Sequence, residues 1–246
     1  MQSGTTALFL TSRPVAALVA QFCKVGFLLA LISIMIIASP AALAQVKINY
    51  GDFIGTDVAF LNVTETNHQP PPEPAVLWGV PTVNGNGMQF YPQTFSATSV
   101  GSDVDQAGSQ LQMQISTSGP STLNLITIEE FGDLDLSGIG TGQTGTYASM
   151  SGFVTVTETT GGPIAAEIIP FTGVFTPTDL SALPGNLGHA LWKGNVVVDI
   201  GAAVPNATRA MLSFDGDLTA SSDAAGTTAL IQKKVVLVQV TVGAVP

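Results

Sequence analysis

The sequence predicts an all-β protein: an antiparallel β-sandwich or jelly roll of about ten strands, with a closed barrel as the alternative. Three observations predict it. Gln110-Leu111-Gln112-Met113-Gln114-Ile115-Ser116 alternates polar and apolar residues without a break, the period of a strand with one buried face. No stretch after residue 44 sustains an apolar period of 3.6 residues over a useful length. Turn signals recur at Asn84-Gly85-Asn86-Gly87, Gly161-Gly162-Pro163, Pro184-Gly185-Asn186 and Asp215-Gly216.

The first element is a leader. Residues 25–38, VGFLLALISIMIIA, carry no charge; Lys24 precedes them, and Ala42-Leu43-Ala44 follows a Ser39-Pro40 break. A basic start, an apolar run and small residues at the cut make the grammar of a signal peptide. Residues 1–44 are therefore expected to be removed after Ala44, leaving no stable membrane span. The alternative is a retained anchor, because 25–44 is barely long enough for a hydrocarbon core of ~30 Å. Residues 45–246 then form a single domain.

Within that domain, strands are expected at 56–64 and 88–97, separated by Pro70-Pro71-Pro72-Glu73-Pro74. Proline cannot donate to a ladder, so this run reads as an exposed polyproline-like loop. The alternating stretch at 110–116 follows, then Leu123–Glu129 and Asp133-Leu134-Asp135-Leu136. Further strands are expected at 145–158, 164–176, 191–200, 207–214, 227–232 and 234–242. Short helical turns fit 178–183 and 199–204. The terminal strand, Val235–Val242, is rich in β-branched residues and suits either an inner position or an edge open to strand addition. Phe60-Leu-Asn-Val-Thr-Glu-Thr66 and Phe153-Val-Thr-Val-Thr-Glu-Thr159 echo each other. The echo reads as shared strand vocabulary, with two duplicated halves as the alternative.

Charge excludes one function class. Only 10% of the chain is charged, against roughly 25% in an ordinary soluble domain. Arg13 and Lys24 lie in the leader, so residues 45–246 carry five basic against all 17 acidic side chains, a net charge of −12. Such a surface repels phosphate backbones, so no nucleic acid is expected as a partner. Cys23, the one cysteine, also lies in the leader, which leaves the domain no disulfide and no thiolate.

Candidate chemistry is sparse. His68 and His189 are isolated, and no G-x-S-x-G elbow accompanies them, so a serine triad is not expected. Zinc would need thiolates or clustered imidazoles. Calcium takes oxygens alone, and three aspartate pairs fall in or beside expected turns: Asp103 with Asp105, Asp133 with Asp135, and Asp215 with Asp217. Each pair puts both carboxylates on one side of an extended segment, some 6–7 Å apart at ~3.3 Å per residue. Solvated turn aspartates are the plainer reading. A glycosidase would need two carboxylates across a cleft; Glu65, Glu129, Glu130 and Glu158 all fall at expected strand ends. Carbohydrate binding would use exposed aromatic rings as platforms, and Trp78, Tyr91, Tyr147 and Trp192 are the candidates, although a tryptophan is more often a core residue. Asn62-Val-Thr64 and Asn206-Ala-Thr208 match the short N-glycosylation pattern.

Several short runs together carry a resemblance: Asp52-Phe-Ile-Gly-Thr56, Phe60–Glu65, Gly79-Val-Pro81, Phe90-Tyr-Pro92, Glu129-Glu-Phe-Gly-Asp133 and the terminal Lys233-Lys234 strand. Over most of 45–246 the chain resembles the secreted, low-charge β-sandwich proteins of bacteria that use the exosortase (PEP-CTERM) system. Many of these carry a C-terminal Pro-Glu-Pro, an apolar helix and a basic tail. Here the last residues are Ala244-Val245-Pro246, and Pro72-Glu73-Pro74 lies elsewhere, so the resemblance is to such a protein without that sorting signal. It implies export and a surface or matrix role, and it supplies no catalytic residue.

The expectation is a non-enzymatic, secreted or cell-surface domain with a structural or adhesive role in an extracellular matrix. The alternatives are a carbohydrate-binding sandwich contacting polysaccharide, with calcium as its one candidate cofactor, and, third, a glycan-acting hydrolase.

Overall fold

The structure, a computed structural model, describes residues 46–68, 76–138, 144–177 and 188–245. In chain order the first strands are β1 (Val46–Ile54), β2 (Val58–Asn67), β3 (Thr82–Asn84) and β4 (Gly87–Phe90). Next come β5 (Ser96–Val100), β6 (Val104–Thr117), β7 (Ser121–Ser137) and β8 (Gly145–Thr159). The chain continues through β9 (Gly162–Thr172), β10 (Val174–Thr176) and β11 (Gly188–Asp199) to a four-residue helix, α1 (Ile200–Ala203). It ends in β12 (Ala207–Ser221) and β13 (Thr228–Ala244).

These strands make an antiparallel β-sandwich. One sheet has six strands in the order β1-β2-β6-β12-β8-β9. The other has seven: β10-β11-β7-β13-β4-β3, with β5 pairing the first part of β13. Alternation along each strand decides which face is inside. β6 buries Leu111, Met113 and Ile115, and β12 buries Leu212, Phe214 and Leu218. From the opposite sheet, β7 contributes Ile126, Ile128 and Leu134, and β13 contributes Ile231, Val236 and Val238. Each such side chain stabilises the sandwich by roughly 1.5–3 kcal/mol relative to exposure. Trp78, in the segment before β3, stands in the middle. Its ring meets Phe90, Phe95 and Phe214 edge-on, with centroids 6.0, 5.2 and 5.4 Å away.

Two buried polar groups fix that arrangement. Glu65 of β2 accepts hydrogen bonds from the backbone N–H groups of Leu77 (2.6 Å) and Trp78 (3.3 Å), and from the Ser109 hydroxyl (3.2 Å). The Tyr50 hydroxyl donates to the same carboxylate, and burial together with that bond pushes the phenol pKa well up. Lys233 of β13 is fully buried and forms an ion pair with Glu130 of β7 at 2.7 Å. Its ammonium also lies 4.7 Å from the centre of the Trp78 ring and 4.4 Å from that of Phe95, in cation–π range. Desolvation pushes the Glu130 carboxyl above its ordinary range, and Lys233 opposes that shift.

Several expectations need correction. Thirteen strands, rather than about ten, occur among the described residues: β1 and β3 match no expected strand, and the expected strands at 88–97 and 164–176 divide into β4 with β5 and β9 with β10. The runs at 123–129 and 133–136 form one continuous strand, β7, and those at 227–232 and 234–242 form another, β13. Asp215-Gly216 is no turn: it lies in the middle of β12. Gly216 is there for space, since a Cβ would sit 2.2 Å from Lys233 Nζ. Glu65 and Glu130 are core residues rather than rim residues. The two echoing segments lie in β2 and β8 of the same sheet, and Phe60 is buried where Phe153 is exposed.

Other expectations stand. Asn84 and Gly87 pair across a two-residue hairpin loop, with Gly85 at a φ of 59°. Residues 199–204 contain α1, where Asp199 Oδ1 accepts from Ala202 N–H at 2.9 Å as an N-cap. β13 is an inner strand, flanked by β7 on one side and by β5 and β4 on the other. The leader (1–44), Pro70–Pro74, the turn at 178–183 and Pro184-Gly185-Asn186 lie outside the described residues.

Candidate functional site

Two of the candidate aspartates and one candidate tyrosine meet on the outer face of the six-stranded sheet. Its centre is β12, whose outward side chains include Asp217, Asp215, Ser213 and Met211. On one side β8 places Ser149, Ser151, Phe153 and Thr155 directly opposite them, with Tyr147 one pair further on. On the other side β6 places Gly108, Gln110, Gln112 and Gln114. The alternation that buries Leu111, Met113 and Ile115 is what turns those three glutamines outward. Thr64 and Thr66 of β2 face Gln112 and Gln110 in turn.

Specific contacts order this floor. Asp217 Oδ2 accepts from the Ser149 hydroxyl at 3.1 Å. Asp217 Oδ1 leans over β6, where a Cβ on Gly108 would sit only 2.3 Å from it. His68 Nε2 lies 3.5 Å from Asp215 Oδ1. Gln112 Nε2 donates to Met211 Sδ at 3.1 Å, beside a shallow depression of about 110 Å³ lined by Lys47, Thr64 and Gln114. Two aromatic rings stand proud of the floor: Tyr147 is 62% exposed and Phe153 is 41% exposed. Six residues apart on one strand, they are separated by ~20 Å.

Chemically, the carboxylates accept hydrogen bonds, the amides both donate and accept, and the rings offer apolar planes. The face suits a neutral, hydroxyl-rich ligand.

No family model matches the chain, and no curated protein matches it. Solved structures to which it is similar include the enzymatically active domain of the bacteriophage CBA120 tailspike protein 4 (15% identity, TM-score 0.20). That match covers 80% of this chain, which spans only 19% of the tailspike chain. A winged bean acidic lectin complexed with methyl-α-D-galactose matches at 11% identity and TM-score 0.23, over 80% of this chain and 100% of the lectin. A family 11 carbohydrate-binding module from Clostridium thermocellum, in complex with a β-1,3-1,4-mixed-linked tetrasaccharide, matches at 11% and TM-score 0.17. It covers 80% of this chain and 96% of the module. These scores are too low to carry an argument about ligands.

The structure brings Tyr147, Asp215 and Asp217 together and scatters the other candidates. Trp78 and Trp192 are corrected outright, because their relative exposures are 0% and 2% and a ring without a free face cannot stack on a sugar. Trp192 fills a slot over Gly132, where a Cβ would come within 2.5 Å of the indole. Its Nε1–H donates to the Asp133 carbonyl at 3.3 Å. Tyr91 is 49% exposed but lies just after β4, a strand of the other sheet.

The remaining aspartates have other engagements. Asp133 and Asp135 lie within β7 rather than at a turn; Asp133 faces Lys234 at 3.8 Å, and Asp135 meets His189 at 3.1 Å. Asp105 Oδ2 accepts from Thr98 N–H at 2.6 Å, while Asp103 Oδ1 accepts from Val104 N–H. Among the described residues, no three His, Cys, Asp or Glu side chains are grouped so as to hold a metal ion. No helix there is long and apolar enough to cross a membrane.

Sequence reasoning missed Phe153, His68 and the glutamine ladder as parts of one site. Signals for two of them were present: an exposed strand face written in amides rather than charges, and an aromatic residue on the polar side of the alternation.

Proposed function

We propose that this is an exported, non-catalytic module that binds a neutral polysaccharide along the outer face of the six-stranded sheet. The observation that carries the reading is the pair of exposed rings, Tyr147 and Phe153, bracketing a continuous floor of Ser149, Ser151, Asp215 and Asp217. An extended chain can stack a sugar ring on each aromatic while its hydroxyls meet the carboxylates and amides between. The glycine at 108 supports it, by letting Asp217 lie flat against the sheet instead of standing into the ligand's path. Export rests on the leader, and the secreted β-sandwich resemblance agrees with it. A role in holding an extracellular matrix together follows from polymer binding without turnover.

Affinity electrophoresis of residues 45–246 through gels holding xylan, mixed-linkage β-glucan, galactomannan or galactan tests this. Retardation by at least one polymer is expected. Tyr147→Ala should weaken it about tenfold, equivalent to ~1.4 kcal/mol, whereas Tyr91→Ala should leave it unchanged. If no polymer retards the wild-type domain, the reading fails.

A further inference from the structure

The outer face does not stop at Met211. Where β6 and β8 end and β7 begins, a cleft of about 470 Å³ opens, with Arg209 and Glu158 on its wall. Arg209 is the next outward residue of β12 after Met211, so the cleft continues the same track. This volume falls within the usual range for a small-molecule site, ~300–1,000 Å³. The wall is otherwise rich in hydroxyls, including Thr117, Ser121, Thr159 and Thr160, with Pro120 as an apolar patch.

The polar groups here have spare capacity. Arg209 Nη1 meets Glu158 Oε2 at 2.5 Å, and both side chains remain partly exposed. A guanidinium has five donors and a carboxylate about four acceptor sites, so one contact leaves most of each unused.

We infer that this cleft is an end subsite, holding one neutral sugar unit at the terminus of the polysaccharide chain that lies on the face. The inference rests on the polysaccharide-binding reading and goes beyond it by naming which part of the ligand sits where. Two adjacent hydroxyls on one sugar suit an Arg–Glu pair: one accepts from the guanidinium while its neighbour donates to the carboxylate. The sugar is neutral because Glu158 and a domain charge of −12 both repel a carboxylated or phosphorylated unit. The unit is terminal because the outer face gives out here: β6 and β8 end and β12 begins at the cleft, which is lined also by Ser121 of β7 and by Val245 just past β13.

Titration calorimetry of residues 45–246 tests the inference, using hexasaccharides of xylan, β-1,3-glucan and β-1,4-glucan beside the parent polymers. The wild-type domain should bind one hexasaccharide. Arg209→Met and Glu158→Gln should each weaken that binding at least tenfold, while affinity for the matching polymer, held mainly by the face, falls less. Phe153→Ala, five residues and ~17 Å from Glu158 along β8 and so within reach of a hexasaccharide, should weaken both alike. Thermal melts establish that each variant is folded; Glu158→Gln, which keeps the shape, serves if Arg209→Met does not fold. Unchanged hexasaccharide binding in a folded variant, or equal losses for hexasaccharide and polymer, overturns the end subsite and leaves the polysaccharide reading standing. The same holds if the polymer binds and no hexasaccharide does. If the wild-type domain binds no polymer, the reading beneath it falls as well.

Discussion

At the residue scale, a fully buried lysine in a domain with so few cations calls for an explanation. Lys233 meets Glu130 at 2.7 Å and two aromatic faces, and Gly216 on the opposite sheet leaves room for its ammonium. Taking both charges out of water costs several kcal/mol per ion, and only the pair and its surroundings offset that. Losing one partner is therefore far worse than losing both. Lys233→Met should destabilise the domain by ~3–5 kcal/mol in urea unfolding, because Glu130 is left buried and alone. Lys233→Met combined with Glu130→Leu should recover most of that loss. If single and double variants are equally unstable, the pair is not the source of the cost. None of this was legible in the sequence. A lysine in an alternating strand reads as an outward one, yet Lys233 continues the inward alternation of Ala229 and Ile231, and the bulge after it moves the buried parity to Val236 and Val238.

At the element scale, β12 joins the core to the candidate site. Its inward residues pack against the other sheet, while its outward residues form the centre of the face. The sequence predicted a strand at 207–214 followed by an Asp-Gly turn, and the structure runs straight through to Ser221. The misreading has a physical basis. Glycine marks a turn when it supplies a positive φ, but Gly216 is extended and was selected by the ammonium facing it. Gly108 on β6 is a parallel case on the outside of the same sheet. Gly108→Ala should push aside the flexible Asp217 carboxylate without disturbing the backbone. It is expected to lower polysaccharide retention several-fold in the gel assay while shifting the melting temperature little. A large fall in melting temperature would show instead that Gly108 is needed by the sheet.

At the scale of the whole molecule, the sandwich was legible because alternation and turn chemistry agree over most of the chain. β6 shows the first, and the Asn84–Gly87 hairpin the second. The site was only half legible: a period of two says which residues share a face, but not which strands lie side by side. Tyr147, Asp215 and Gln110 lie far apart in sequence and meet only because β8, β12 and β6 are neighbours. The aspartates of the three pairs are engaged at this scale by hydrogen bonds and ion pairs along their strands. The melting temperature of residues 45–246 is accordingly expected to be the same in excess calcium as in EDTA. A rise of several degrees with calcium would restore an ion to one of these pairs. The inner position of β13 has a further consequence, in time rather than in space. β13 follows the twelve other described strands along the chain yet belongs between β7 and β4, so the seven-stranded sheet cannot close around its core until β13 is in place. Such non-local closure is slow, and the sandwich is expected to complete late in folding.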